Sequence, residues 1–203
     1  MGSIDNIITK GIIGLIPIYT KEGRYQTKVI TRDLEVIFLR KNIRQALKEM
    51  ATYFKIDFAT TKGYATYILG RKQSISIPFD RENVYVPIKV KKPKTSNDYT
   101  LGFFHLNYLN VIKINEKEVY LILKEDIKIK SYMIYETVKR NIREGEIIKR
   151  HFQKYPIIVY SGGDKEIFLK GLQRKASKED LEKLEEDIKS FQRELLNNWG
   201  IAL

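Results

Sequence analysis

The chain has 203 residues, with 37 Lys+Arg against 25 Asp+Glu, a formal net charge of +12 and 43% hydrophobic residues. That apolar content suffices for a real core, and the charge draws the molecule toward polyanions, nucleic acid first among them. With no cysteine, disulfides, thiolate metal sites and cysteine nucleophiles are excluded, which fits a reducing cytosol.

The first ten residues read as a polar, frayed start. Gly11 to Tyr19 follows as an apolar run containing Pro17, too short to span a membrane, so a cytoplasmic protein with no membrane contact is expected. Thr20 to Gly23 has turn composition, and Tyr25 to Ile30 and Leu34 to Leu39 alternate as strands do, which makes the opening a β-meander. From Lys41 to Phe54 the apolar positions Ala46, Leu47, Met50, Tyr53 and Phe54 recur at spacings of three and four, the pattern of an amphipathic helix. Lys62-Gly63 reads as a turn.

Two alternating stretches, Gln73 to Ile77 and Asn83 to Val90, then lead into an aromatic block around Phe103 and Phe104. Leu109 to Ile114 and Val119 to Leu123 form a hairpin-like pair, and Ile127 to Lys130 a short strand. Ser131 is placed to cap a helix with Ile134, Val138 and Ile142 inward and Lys139, Arg140 and Arg143 outward. Ile157 to Tyr160 reads as a strand before the connector Ser161 to Asp164, which lacks the Lys-Ser/Thr pair of a phosphate loop.

The last segment changes character. Leu181, Leu184, Ile188, Phe191 and Leu195 make one apolar stripe, and from Ala176 to Asn198 seven acids outnumber four bases. DNA would repel such a helix. It suits packing on its own domain, a dimer seam or a site for an adaptor protein. The expected fold is therefore a β-rich α+β protein of mostly antiparallel sheet, with helices near residues 42–54, 132–152 and 177–197. A domain over residues 1–155 precedes a C-terminal segment over 156–203.

The charge is concentrated. Between Phe58 and Asn97 eight bases face only Asp80 and Glu82, half of the chain's excess in about a fifth of its length. Lys89, Lys91, Lys92 and Lys94 crowd between Pro87 and the loop beyond Pro93. Lysine and proline also guard edge strands against mispairing, but edge protection alone rarely needs this many charges. These four lysines with Arg71 and Lys72 are expected to neutralise phosphates, and Arg71, His105, Asn107 or Tyr108 to touch bases.

Catalytic signals are weak. His105 and His151 are the only histidines, no Ser or Asp gives a triad spacing, and the acidic pairs Asp80/Glu82 and Glu125/Asp126 fall in turns without a third ligand. The expectation is a non-enzyme with no cofactor and no metal.

From about Lys28 to Arg143 the order of elements resembles the ComK-like bacterial competence transcription factors. The resemblance rests on Gly63, Gly70 and Arg71, on Lys72-Gln73-Ser74-Ile75 at the strand entry, and on Val86-Pro87 where the family has Phe-Pro. Ser96 in the loop, Gly102-Phe103-Phe104 for Gly-Trp-Ile, and Ser131 before a helix complete it. Departures are the missing proline at 74, the missing tryptophan at 103, Thr137 where glutamine is usual, and the lack of the family's cysteines. Phe104-His105, Tyr108-Leu109, Val111 and Ile114 with Glu118 to Ser131 are similar to the DNA-binding strand and hairpin of LytTR-type domains, with Leu106 in place of the basic residue. Both resemblances imply a DNA-binding transcription regulator; the first implies an activator of competence genes that binds AT-rich duplex through the minor groove as a dimer or pair of dimers. The alternatives are an RNA-binding or ribosome-associated basic module and a divalent-metal-dependent nuclease.

Overall fold

The computed structural model describes residues 4–20, 23–93, 98–115, 118–124 and 127–154. The chain divides into compact units over residues 1–161 and 162–203, and the described residues belong to the first. The strand expected at Ile157 to Tyr160 and the stripe Leu181 to Leu195 lie outside them.

The fold is α+β. A short helix α1 (Ile4–Thr9) leads into strands β1 (Ile12–Tyr19), β2 (Tyr25–Thr31) and β3 (Val36–Leu39). Helices α2 (Ile43–Tyr53) and α3 (Phe58–Leu69) follow, then β4 (Ile77–Pro78), β5 (Val84–Lys89) and β6 (Leu101–His105). A 3₁₀ turn (Leu106–Tyr108) passes the chain to β7 (Leu109–Asn115), β8 (Glu118–Leu123), β9 (Ile127–Ser131) and the long helix α4 (Tyr135–Lys154). One antiparallel sheet has the order β3-β2-β1-β6-β5-β4 and a second the order β7-β8-β9.

Alternation along the central strands covers both faces of the large sheet. Leu15, Val29 and Tyr85 meet Ile7 of α1 and Leu47 and Met50 of α2 in one cluster. Ile30, Val84, Val86 and Phe104 point the other way, against Leu121 and Leu123 of the small sheet, Ala65 of α3 and Val138 and Ile148 of α4. The result is three layers: two helices, the six strands, and a mixed layer in which α3, α4 and the small sheet share one face. Burying an aliphatic side chain is worth roughly 1.5–3 kcal/mol, so these two clusters hold the layers together.

Several expected elements need correction. The frayed start is a helix because Ile7 and Ile8 bury against the α2 layer. Lys62-Gly63 lies inside α3, which begins on an Asp57 cap (Thr60 N–H to Oδ1, 2.7 Å) and stops at Gly70 in the left-handed conformation. Gln73 to Ile77 is mostly irregular, with only Ile77–Pro78 paired to β5. Ser131 accepts from the Met133 N–H at 3.1 Å, forming a turn ahead of α4. The α2 boundaries follow from a reciprocal cap in which Asn42 and Gln45 exchange side-chain and backbone bonds at 2.9 and 3.0 Å.

Candidate nucleic-acid interface

Helix α4 lies lengthwise against β5. Tyr132 N–H donates to the Lys89 carbonyl at 2.7 Å just before the helix begins, and near its far end Lys149 Nζ reaches Glu82 at 3.0 Å and Gln153 Nε2 the Arg81 carbonyl at 3.3 Å. Close approach is possible because residue 145 is glycine: a Cβ there would stand 2.8 Å from Val86 Cγ2 and 3.3 Å from Leu106 Cδ1. Asn141 Nδ2 adds a bond to the Pro87 carbonyl at 2.8 Å. Twenty residues at 1.5 Å each make α4 about 30 Å long.

With Val138, Ile148 and Phe152 buried, the spacing i, i+4, i+7, i+11 puts Lys139, Arg143, Glu146 and Arg150 along the outward side. Between this side and edge strand β7 runs a cleft of about 930 Å³ lined by Asn107, Asn110, Lys139, Arg143, Lys149 and Arg150 over Leu106 and Leu109. Beyond it, Ile127 and Ile129 of β9 face the core, so the exposed Lys128 and Lys130 face out. Tyr120 stands opposite Lys130 and Ile112 in the β-ladder, with Lys130 Nζ 6.0 Å from its ring centre and 3.7 Å from Glu118. Glu136 and Glu146 offset part of the positive charge of α4. Lysines and arginines still predominate.

The residues expected from sequence to form one surface fall into three groups. Lys89 ends β5, with its N–H 3.5 Å from Met133 Sδ. Lys91 and Lys92 lie just beyond, in the β5-β6 connection. Lys91 Nζ is buried 4.1 Å from the ring centre of Tyr19, which corrects the phosphate contact expected of it. Lys92 is exposed, with its Nζ 5.9 Å from the ring centre of Tyr132. Tyr19, Tyr25 and Tyr99 make ring contacts at the same end at 4.4 and 5.2 Å, and hydrogen bonding with Tyr19 first, then with Asp98 to which Tyr25 donates at 2.9 Å, raises the Tyr25 pKa. Lys94 lies outside the described residues.

His105, Asn107 and Tyr108 sit at the opposite end of the sheet. His105 pairs with Tyr85 and Leu101 with Lys89, so Lys89 and His105 are about 13 Å apart along the strand direction at about 3.3 Å per residue. His105 is also buried, 4% exposed, between Asn83 Oδ1 at 3.3 Å and the Asn107 N–H at 3.2 Å. Burial first, then the charges of Lys149 and Arg32, push its pKa down to about 4. It is a neutral core imidazole, which corrects the expectation of a base contact. Tyr108 packs on it at 5.0 Å under Arg32 at 5.6 Å. Asn107 is exposed and accepts from Lys149 at 3.0 Å.

Arg71 is the third case. Its guanidinium bonds to the Glu144 carboxylate, to the Ser74 carbonyl at 3.0 Å and to Asn141 at 3.2 Å. Neutralised by its own protein's carboxylate, it joins α4 to the loop after α3; the phosphate role expected of it is corrected to a structural one. Desolvation raises the Glu144 pKa while Arg71 and then Arg140, at 3.9 Å, oppose the rise. Lys72 alone of that pair remains exposed.

Comparison with family models, curated proteins and solved structures returns no match. Among the described residues no helix is long and apolar enough to cross a membrane, and no group of three or more His, Asp or Glu is arranged to hold a metal. The α4 stripe was present in the sequence as Lys139, Arg140 and Arg143. What singled it out was the edge of β7 beside it, which only the fold supplies.

Proposed function

We propose that the protein is a cytoplasmic, sequence-specific DNA-binding regulator of transcription whose α4 side lies along duplex DNA. The observation that carries this reading is the outward row Lys139, Arg143 and Arg150, bordering a cleft that also holds the exposed amides Asn107 and Asn110. From Lys139 to Arg150 the row is about 17 Å long at 1.5 Å per residue and matches roughly five base pairs of duplex at 3.4 Å each. Lysine and arginine neutralise phosphates, and an asparagine beside them offers the donor-acceptor pair that reads adenine. The exposed Lys92 stands near one end of the helix and contributes a further phosphate contact. The resemblance to ComK-like activators supports a preference for AT-rich duplex and a self-associated state, because a narrow A-tract groove carries enhanced negative potential.

The test is fluorescence anisotropy with AT-rich duplex, GC-rich duplex and single-stranded RNA, each at two salt concentrations. Tightest binding to AT-rich duplex is expected, with Lys92→Glu weakening all duplexes alike. Tightest binding to RNA would refute the reading in favour of an RNA-binding module.

A further inference from the structure

Strand β3 ends the large sheet on one side, where it pairs only with β2. The opposite edge, β4, is two residues long and contains Pro78, which has no N–H to offer. β3 has no such guard. The Glu35 carbonyl accepts from Thr31 N–H at 3.0 Å and the Lys41 carbonyl from Thr27 Oγ1 at 2.9 Å. Residues 35, 37, 39 and 41 thus turn their backbone groups toward β2. By strand alternation Val36, Phe38 and Arg40 turn theirs to the open edge. Among the described residues nothing pairs with them. Val36 and Phe38 are also 41% and 57% exposed, on a strand whose other residues, Ile37 and Leu39, pack toward α2.

The charge pattern names the occupant. From Glu35 to Lys41 the chain reads acid, four apolar residues, then Arg40 and Lys41, a sequence complementary to itself when run antiparallel. We propose that β3 pairs with β3 of a second copy of this chain about a two-fold axis at Phe38, joining two six-stranded sheets into one. In that register Phe38 faces Phe38, Ile37 faces Leu39, Val36 faces Arg40, and Glu35 faces Lys41 on both sides of the axis. The backbone groups that meet are the outward ones of residues 36, 38 and 40. Centring the pair on Ile37 instead sets Glu35 opposite Leu39 and loses the charge match. Glu35 and Lys41 already touch Lys10 and Glu49, but all four are partly solvated, so a cross-copy pair shares these ions without unburying anything. The contact is isologous, so it closes at two copies and does not grow into a fibre.

Sedimentation of the full chain tests this independently of any DNA binding. Wild type sediments as a dimer at micromolar concentration. Phe38→Asp sets two carboxylates against each other on the axis and yields monomer with an unchanged circular dichroism spectrum. Glu35→Lys weakens the dimer about tenfold, and adding Lys41→Glu restores it. Because the chain has no cysteine, Phe38→Cys gives a single-thiol protein whose sulfurs meet across the axis, at a Cα separation near the 5.5 Å of a hydrogen-bonded antiparallel pair, within disulfide range. It oxidises to a covalent dimer faster than Tyr67→Cys, an exposed position on α3. A monomeric wild type, a dimer that survives Phe38→Asp, or equal oxidation at positions 38 and 67 would each overturn the proposal.

Discussion

Replacing Arg71 by methionine keeps the aliphatic reach of the side chain and removes the guanidinium that holds Glu144. The carboxylate side chain is 9% exposed and Arg71 26%, so the anion loses its main partner in a nearly dry site, with Arg140 Nε remaining at 3.9 Å. Deleting one member of a fully buried pair costs about 3–5 kcal/mol. Because a quarter of Arg71 is wet and Arg140 stays, a loss of about 2–3 kcal/mol is expected. Without Arg71 the Glu144 pKa, already raised by burial, rises further. A raised carboxyl favours the folded state below its unfolded pKa and loses that advantage as pH climbs through the folded value, so the deficit of Arg71→Met grows between pH 5 and 7. Urea unfolding followed by circular dichroism at both pH values measures it, and Arg71→Met/Glu144→Gln recovers most of the loss. Duplex affinity of the folded variant stays within about twofold of wild type. Full stability combined with a large loss of affinity would show that Arg71 grips DNA and that its pairing with Glu144 is incidental.

His105 sets a second pH dependence. Its unfolded form protonates as pH falls below 6.5 while the buried ring resists until about pH 4, so wild type loses roughly 3 kcal/mol across that window, at 1.36 kcal/mol per pH unit. His105→Gln lacks that loss, and the two stability curves converge as pH drops; parallel curves would place the imidazole in water. Gly145→Val drives a branched side chain into Val86 and Leu106 and is expected to cost about 1–3 kcal/mol, against the small gain that replacing a helical glycine normally brings. A thermal melt that moves up instead of down would mean α4 does not sit this close to β5.

Most strands and the two amphipathic helices were legible because their apolar positions form a continuous run, as at Ile12 to Tyr19, or follow periods of two and of three to four, as at Tyr25 to Ile30 and Ala46 to Met50. Helix α3 was not. Its sequence mixes threonines, tyrosines and Gly63 without one apolar stripe, because it is buried only along Thr61 and Ala65. Its real signals were the ends, Asp57 as cap and Gly70 as stop. For the candidate site, contiguity misled. Lys89 to Lys92 do share one end of a hairpin, but Arg71 meets a carboxylate 73 residues away, and nothing local announces that. His105 stands among aromatic residues that read as a display surface. Burial on both faces of the large sheet turns it inward.

The salt dependence of duplex affinity tests the central claim most directly. Removing one cation that neutralises a phosphate should lower the magnitude of the log-log slope by about 0.9, so Lys139→Gln/Arg143→Gln should flatten it by about 1.8 relative to wild type. An unchanged slope in a folded double variant would contradict the assignment of α4 to the DNA.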